Sequence, residues 1–375
     1  MNKENRQDTF IGNVDSSTHN VGEEPHSRIW RSSERSSGSE QPSLASPHSL
    51  SHIKAEALRL GFFACGAAKA EAVDKATADL VHGWIDTGSQ ADMAYMANHT
   101  DKRLDPRLLV PGTETILSLA MNYAPSQPMP ENEYQFAAYA YGQDYHEVMK
   151  ERMRELVATL FPQHSLPHPP SSSHAQKQSS DSRSTDSDAQ IRIFCDTAPV
   201  LERYWAWKAG LGWIGKSHQL IIPRAGTMFF LGEIFLPFAL DDYDSPMESR
   251  CGNCHRCIEA CPTCAIKDTP GFDAEKCLSY QLIENRGELS EQAKRTMGNT
   301  IYGCDRCQTA CPWNRFATPN TEPAFQPKPE LLQMKKEDWH NLTVEEYRQL
   351  FKGSAVKRAK FEGLKRNIDA RKENG

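Results

Sequence analysis

The 375-residue chain contains no run of 18 or more apolar residues, which excludes a transmembrane helix. Its first twenty residues, "MNKENRQDTFIGNVDSSTHN", lack the apolar core of a secretory signal. The expectation is a cytoplasmic protein with no membrane partner, where thiols stay reduced and clustered cysteines bind metal more often than they form disulfides. A surplus of positive charge is also missing. Lys and Arg number 43 against 49 Asp and Glu, a net charge of −6, so only a locally basic surface can meet a polyanion. Aliphatic residues are scarce over 1–49, and "RSSERSSGSEQPSLASPHSLS" reads as a disordered tail. The same shortage marks "PQHSLPHPPSSSHAQKQSSDSRSTDSDAQ", residues 162–190, which reads as a disordered loop insertion.

What lies between these two stretches is patterned. "HIKAEALRLGF" and "KAEAVDKATADLVHGWIDTG" have helical apolar spacing, and "TILSLAMNYA" reads as a buried strand. "DYHEVMKERMRELVATLF" places Met149, Met153, Leu156 and Leu160 four, three and four residues apart, which predicts a helix. After the insertion come a short strand, "IRIFC", the stretch "DTAPVLERYWAWKAGLGWIG" and another buried strand, "MFFLGEIFL". Pro199 suits a first helical turn and Gly210 a helix end. This alternation suggests an α/β or α+β domain over 50–245. A cysteine-rich segment covers 246–318, and 319–375 reads as a helical, basic end. From Lys352 onward, eight basic residues face three acidic ones.

The cysteines carry the strongest signal. Cys251-x2-Cys254-x2-Cys257-x3-Cys261-Pro262 has the spacing of a bacterial ferredoxin run, in which three cysteines hold one cluster and the fourth serves the other. A second run gives Cys304, Cys307 and Cys311-Pro312, with Ile301 where its first cysteine would fall. Cys277 lies between the runs and fills the vacancy. One [4Fe–4S] cluster then takes Cys251, Cys254, Cys257 and Cys311, and the other takes Cys261, Cys277, Cys304 and Cys307. Structural zinc would ask for four ligands, often from two CxxC pairs, and gives no reason for the repeated CP ending. Of the remaining cysteines, Cys65 and Cys195 read as small apolar core residues. Cys264 is set aside in favour of Cys261 on the CP spacing.

With these residues in view, the chain resembles a known family. "FCDTAPVLERYWAWKAGLGWIGKSHQLI", "FFLGEIFL", the cysteine block and "NTIYGCDRCQTACPWNR" are similar to epoxyqueuosine reductases of the QueG family. So are "MAYMANHTDKRLDPRLLVPGTETILSLAMNYAP" and "YAYGQDYHEVMKERM". The resemblance covers roughly residues 50–370. It implies a cobalamin-binding domain like that of reductive dehalogenases over 50–245, a two-[4Fe–4S] ferredoxin-like domain over 246–318, and a tRNA-binding helical region after it. It implies reduction of the epoxide of epoxyqueuosine to the alkene of queuosine at the wobble position of tRNAs for Tyr, His, Asn and Asp. Electrons would come from an unidentified donor, through the clusters, to cobalamin, and the enzyme would act as a monomer.

The resemblance also assigns roles. Asp196 is the expected general acid, provided burial raises its pKa. Read by itself, a residue between a strand and Pro199 is equally a helix N-cap. Arg103 is an expected cobalamin contact, since a guanidinium suits amide and phosphate oxygens. Asp144, Tyr145 and His146, with Lys216, Ser217 and Gln219, are expected to line the same pocket. "DYHEVM" looks like the DxHxxG cobalt-ligating box, but Met149 stands in place of its glycine, so His146 is not assigned as an axial ligand. Lys357, Arg358, Lys360, Lys365 and Arg366 are expected to meet tRNA phosphates, though a charge run is also the ordinary solvated face of a helix. Two other functions fit parts of the sequence. Reductive dehalogenation of a small molecule leaves the basic end unexplained, and an electron carrier leaves about 200 residues without a task.

Overall fold

The structure is a computed structural model that describes residues 48–164, 190–268 and 271–372. The expected tail 1–49 and insertion 162–190 fall outside the described residues except at their edges. The described residues all belong to one unit.

A four-stranded antiparallel sheet organises the fold, in the order Ala64–Lys69, Thr115–Asn122, Phe229–Leu236, Arg192–Phe194. Both of its faces are covered, so the central strands are apolar on both sides rather than alternating with polar residues. On one face Leu117, Leu119, Met121, Ile234 and Leu236 pack with Met149, Met153 and Leu156 of the helix Tyr145–Leu160. On the other face Ile116, Ala120, Phe194 and Phe235 pack with Trp205 and Ala206 of the helix Glu202–Lys208. This antiparallel arrangement is the α+β form of the expected fold class.

The strand Ala64–Lys69 carries no sequence signal, because "ACGAAK" is poor in β-branched and aromatic residues. It forms because it completes the sheet edge and brings its backbone against the next layer. A Cβ on Gly66 would stand 1.9 Å from the Ala209 carbonyl oxygen. Gly210 ends the helix Glu202–Lys208 as its sequence position suggested. It takes φ 70°, and the Gly210 and Leu211 amides bond back to Trp207 and Ala206, the paired C-terminal closure that favours glycine.

The cysteine segment and the C-terminal helices share the first of these cores. Leu278, Ile301, Tyr302, Trp339 and Ile368 belong to the same cluster as Met149. Gln135–Phe136 pairs in parallel with Thr300–Tyr302, and Asp305 accepts from the Ala138 amide at 2.6 Å. The helix Lys360–Lys372 is stapled by polar side chains. Asn367, fully buried, donates to the carbonyls of Leu282 and Ile301. Arg366 donates to the carbonyls of Gln281, Asn285 and Gly287. Replacing Arg366 with alanine strands these carbonyls and is expected to cost about 2 kcal/mol. Urea unfolding of equally cluster-loaded proteins checks this, with Lys357→Ala staying within about 0.5 kcal/mol of the parent.

Candidate active site and cluster segment

The strand Arg192–Phe194 stops at Phe194, opposite Glu233. Two residues later Asp196 takes φ 53°, a left-handed conformation uncommon outside glycine. The following helix begins only at Glu202, with Leu201 at its cap. Asp196 is therefore not a helix N-cap. Its Oδ2 accepts a hydrogen bond from the Tyr145 hydroxyl at 2.6 Å and lies 3.6 Å from His146 Nε2. Its backbone amide donates to Glu202 Oε1.

The first turn of the helix Tyr145–Leu160 supplies the partners. Asp144 caps it by accepting from the His146 amide, and the same oxygen lies 2.6 Å from His146 Nδ1. One carboxylate thus starts the helix and orients the imidazole towards Asp196. Tyr145 is held between rings, stacked on His146 at 4.1 Å and on Phe230 at 4.3 Å. The loop after Gly212 approaches from the other side, where Arg203 donates to the His218 carbonyl at 2.9 Å.

The protonation pattern follows from these contacts. The Asp196 side chain is 62% exposed although protein groups surround it, so it lines an open cleft. Partial desolvation there pushes its carboxyl up. Hydrogen bonds from His146 and Tyr145 outweigh this and hold it below its ordinary value. Desolvation pulls His146 down, but Asp144 and Asp196 together raise it to about 9. Burial, reinforced by the Asp196 charge, pushes Glu202 up to about 8. Burial also drives the Tyr145 phenol well above its usual range. At neutral pH the protons therefore sit on His146, Tyr145 and Glu202. The expectation that burial keeps Asp196 protonated is reversed in the open cleft, because two donors converge on it.

The other expected site residues are distributed as follows. Arg103 is 7% exposed, and it donates to the Tyr95 carbonyl at 3.1 Å. Its Nε has no partner among the described residues, and a buried N–H of this kind calls for an acceptor. Ser217 is buried, and the Gln219 carbonyl accepts from the Gly215 amide. Lys216 turns to the cysteine segment, 3.1 Å from His255 Nε2 and 3.9 Å from Asp268. Three of the five expected tRNA cations have internal partners. Arg358 pairs with Glu284 at 2.7 Å, Lys365 pairs with Asp369 and bonds the His340 carbonyl, and Arg366 holds the carbonyls described above. These three secure the C-terminal helix, whereas Lys357 and Lys360 are exposed.

Glu202, Arg203 and Tyr95 were not among the expected site residues. The signal for the first two was the "LER" that follows Asp196, a charged pair at the start of an otherwise apolar helix. Nothing in the sequence separates Tyr95 from its neighbours. Its charge-range neighbours here are Glu284, Arg358 and Asp196, and the Arg358 guanidinium lies 5.5 Å from its ring centroid.

The cysteines fall into two groups. Cys257 senses the charges of Cys251 and Cys311, and Cys311 those of Cys251 and Cys254. Cys277 senses Cys261, Cys304 senses Cys277, and Cys307 senses Cys304, Cys277 and Cys261. Cys264 is exposed and is absent from both groups. Among the described residues, no three His, Cys, Asp or Glu side chains gather around a single-ion position. Trp213 and Trp313 pack edge to face at 4.9 Å beside Cys251 and Cys311. Cys65 and Cys195 are buried in the core as expected, with Cys65 pushed up to about 12 by desolvation.

Residues 250–314 match the family described as 4Fe-4S double cluster binding domain. Residues 103–197 match Epoxyqueuosine reductase QueG, DUF1730. The epoxyqueuosine reductase of Cellulophaga algicola is 41% identical over 317 residues, which make up 84% of this chain and 96% of that one. The chain belongs to the epoxyqueuosine reductase family. The Pseudomonas aeruginosa member is 36% identical, over 76% of this chain and 74% of its own. A crystal structure of epoxyqueuosine reductase with a tRNA-Tyr epoxyqueuosine-modified tRNA stem loop superposes with a TM-score of 0.71. It is 25% identical, with 85% of this chain and 80% of that one covered. The Bacillus subtilis enzyme, solved with its catalytic aspartate loop swung out of the active site, gives 0.69 at 25% identity and the same coverage. This chain is accordingly an oxidoreductase, and its cysteine segment is a double [4Fe–4S] domain. The expected pair of [4Fe–4S] clusters agrees with the matched double-cluster domain. Among the described residues no helix is long and apolar enough to cross a membrane.

Proposed function

We propose that this protein reduces the epoxide of epoxyqueuosine in tRNA to the alkene of queuosine, the last step of queuosine synthesis. The substrate is the wobble nucleoside of tRNAs for Tyr, His, Asn and Asp. The observation that carries this reading is the Asp196 carboxylate, open to a cleft and held by a phenol and an imidazole that both keep protons at neutral pH. Reduction of an epoxide to an alkene consumes two electrons and two protons and releases water, so the site must supply protons where the oxygen leaves.

The residues fit the cofactors. Cys251, Cys254, Cys257 and Cys311 would hold one cluster, and Cys261, Cys277, Cys304 and Cys307 the other. The unpartnered Arg103 Nε would meet an acceptor on cobalamin. Asp144, Tyr145, His146, Ser217 and Gln219 would line the cobalamin pocket with it, and Lys216 would lie towards the cluster side. When bound, cobalamin supplies the low-potential reductant for the epoxide carbon, fed with single electrons from the clusters and, before them, from a donor outside this chain.

The protein supplies position and protons. A nucleoside filling the cleft removes water from Asp196, which favours its protonated form. One of the two protons comes from His146, 3.6 Å away, by way of Asp196 to the departing oxygen, and the second comes from solvent as water is released. Asp144 keeps the imidazole oriented throughout. Lys357 and Lys360 remain available for phosphates, next to a helix secured by the other three cations. The loop that carries Asp196 is read as the counterpart of the mobile aspartate loop of the Bacillus subtilis enzyme.

The test is anaerobic incubation of cluster-loaded protein, cobalamin and a low-potential reductant with tRNA from a strain blocked at epoxyqueuosine. Nucleoside mass spectrometry should show loss of one oxygen, dependent on cobalamin. An unchanged nucleoside, with clusters and cobalamin shown to be loaded, would refute the reading.

A further inference from the structure

We propose that Glu202 is the latch of the Asp196 loop, a positioning residue that holds the loop inward by accepting the Asp196 amide hydrogen on its side-chain oxygen. The proposal rests on the reading of Asp196 as the proton donor, and it adds the group that keeps Asp196 in place.

The loop tip has few tethers. Its four residues after Asp196 make one backbone hydrogen bond among the described residues, internal to the loop, from the Val200 amide to the Ala198 carbonyl at 2.8 Å. Ala198, Val200 and Leu201 rest partly on the core under Trp205, so the loop is anchored from Ala198 onward. Asp196 and Thr197 are exposed. Asp196 is also left-handed at φ 53°, a conformation disfavoured for a residue with a Cβ. Something must offset this for the tip to stay inward.

Three contacts do so. Two of them, from Tyr145 and His146, end on the Asp196 carboxylate. They depend on its negative charge and weaken when the carboxyl takes up its proton. The third, to Glu202, ends on the backbone amide and does not change with that proton. Glu202 is well placed for the task. It opens the helix Glu202–Lys208, whose Tyr204, Trp205 and Ala206 are buried against the sheet. Below it, on the same face of the sheet as Trp205, lies the fully buried Glu233. Burial keeps Glu202 neutral at pH 7, so the latch places no second negative charge beside Asp196.

The experiment compares Glu202→Ala and Glu202→Gln with the parent chain. Glutamine keeps a neutral side-chain oxygen that accepts the amide hydrogen, and alanine removes it. Hydrogen exchange followed by mass spectrometry reads the peptide spanning Phe194–Leu201 in the cluster-loaded protein. The expected result is exchange at least tenfold faster in Glu202→Ala and within about twofold of the parent in Glu202→Gln, with iron content and exchange elsewhere unchanged. Steady-state turnover on an epoxyqueuosine stem-loop should follow the same order. In the alanine variant kcat falls at least tenfold at similar KM, and glutamine restores it to within about threefold. Unaltered protection in Glu202→Ala overturns the latch, and so does equal loss of protection in both variants. If the alanine variant loosens the loop and turnover stays normal, the latch stands and the proton-donor reading of Asp196 fails.

Discussion

Asp196→Ala is expected to lower turnover on epoxyqueuosine tRNA by about a thousandfold, with iron content and stem-loop affinity unchanged. A positioned proton donor typically contributes 10²–10⁴ in rate. Asp196 is exposed at the tip of a loop, not packed in the core, so its removal opens no cavity. The partners it releases, Tyr145 and His146, retain their stacking on each other and the bond from His146 to Asp144. Asp196→Asn should be almost as poor, because an amide keeps the shape and loses the titrating proton. The pH profile carries the second half of the argument. His146 is raised above its ordinary value, to about 9, by the two flanking carboxylates. Its proton is therefore present below that pH and lost above it. Parent turnover should be flat through pH 7–8 and fall about tenfold per unit beyond 9. A fall already complete at pH 7 would mean that His146 is not the store. Normal turnover in Asp196→Ala would remove the aspartate from the mechanism.

The separation between what was legible and what was not has a physical cause. Strands and helices with long apolar faces could be read directly. The helix Tyr145–Leu160 buries Met149, Met153, Leu156 and Leu160, the four residues its periodicity selected. The strand Ala64–Lys69 could not be read, because its place is set by tertiary pairing to Thr115–Asn122 and by a close approach at Gly66. At the site, "CxxCxxCxxxCP" is legible because metal ligation fixes spacing along the chain. Asp196, Tyr145 and His146 could all be picked out by family motifs, but the contacts of the last two with Asp196 could not, since they reach it across the fold from 51 and 50 residues earlier in the sequence. The basic end shows another limit. Arg358, Lys365 and Arg366 count as charge in the sequence, and only the fold shows that they are used on Glu284, Asp369 and backbone carbonyls.

The second large effect is expected at Cys277. Cys277→Ala should reduce iron from about eight to about four per chain, and Cys264→Ala should leave it at about eight. The second cysteine run lacks the first ligand of the ferredoxin pattern, and two cysteines are near enough in sequence to replace it. Their surroundings differ. Cys277 lies in charge range of Cys261, Cys304 and Cys307. It stands at the N-cap of the helix Leu278–Ile283, where burial pushes its thiol up and the Tyr280 and Ser279 amides pull it down. Amides directed at a thiolate stabilise its negative charge, as a cluster ligand requires. Cys264 is exposed, with φ 54°, and its charge is not among those acting on Cys277, Cys304 or Cys307. Loss of the Cys277 cluster should also be visible in electron paramagnetic resonance, as removal of one of two reduced-cluster signals, since the Cys251 group draws no ligand from residues 261–307. The cost should extend to the fold, because Cys277 precedes a helix whose Leu278, Leu282 and Ile283 all enter the main core. A lower unfolding temperature together with half the iron is therefore the combined expectation. Iron lost from Cys264→Ala and kept in Cys277→Ala would transfer the fourth ligand to Cys264 and require the turn at Thr263–Cys264 to reverse when the cluster binds.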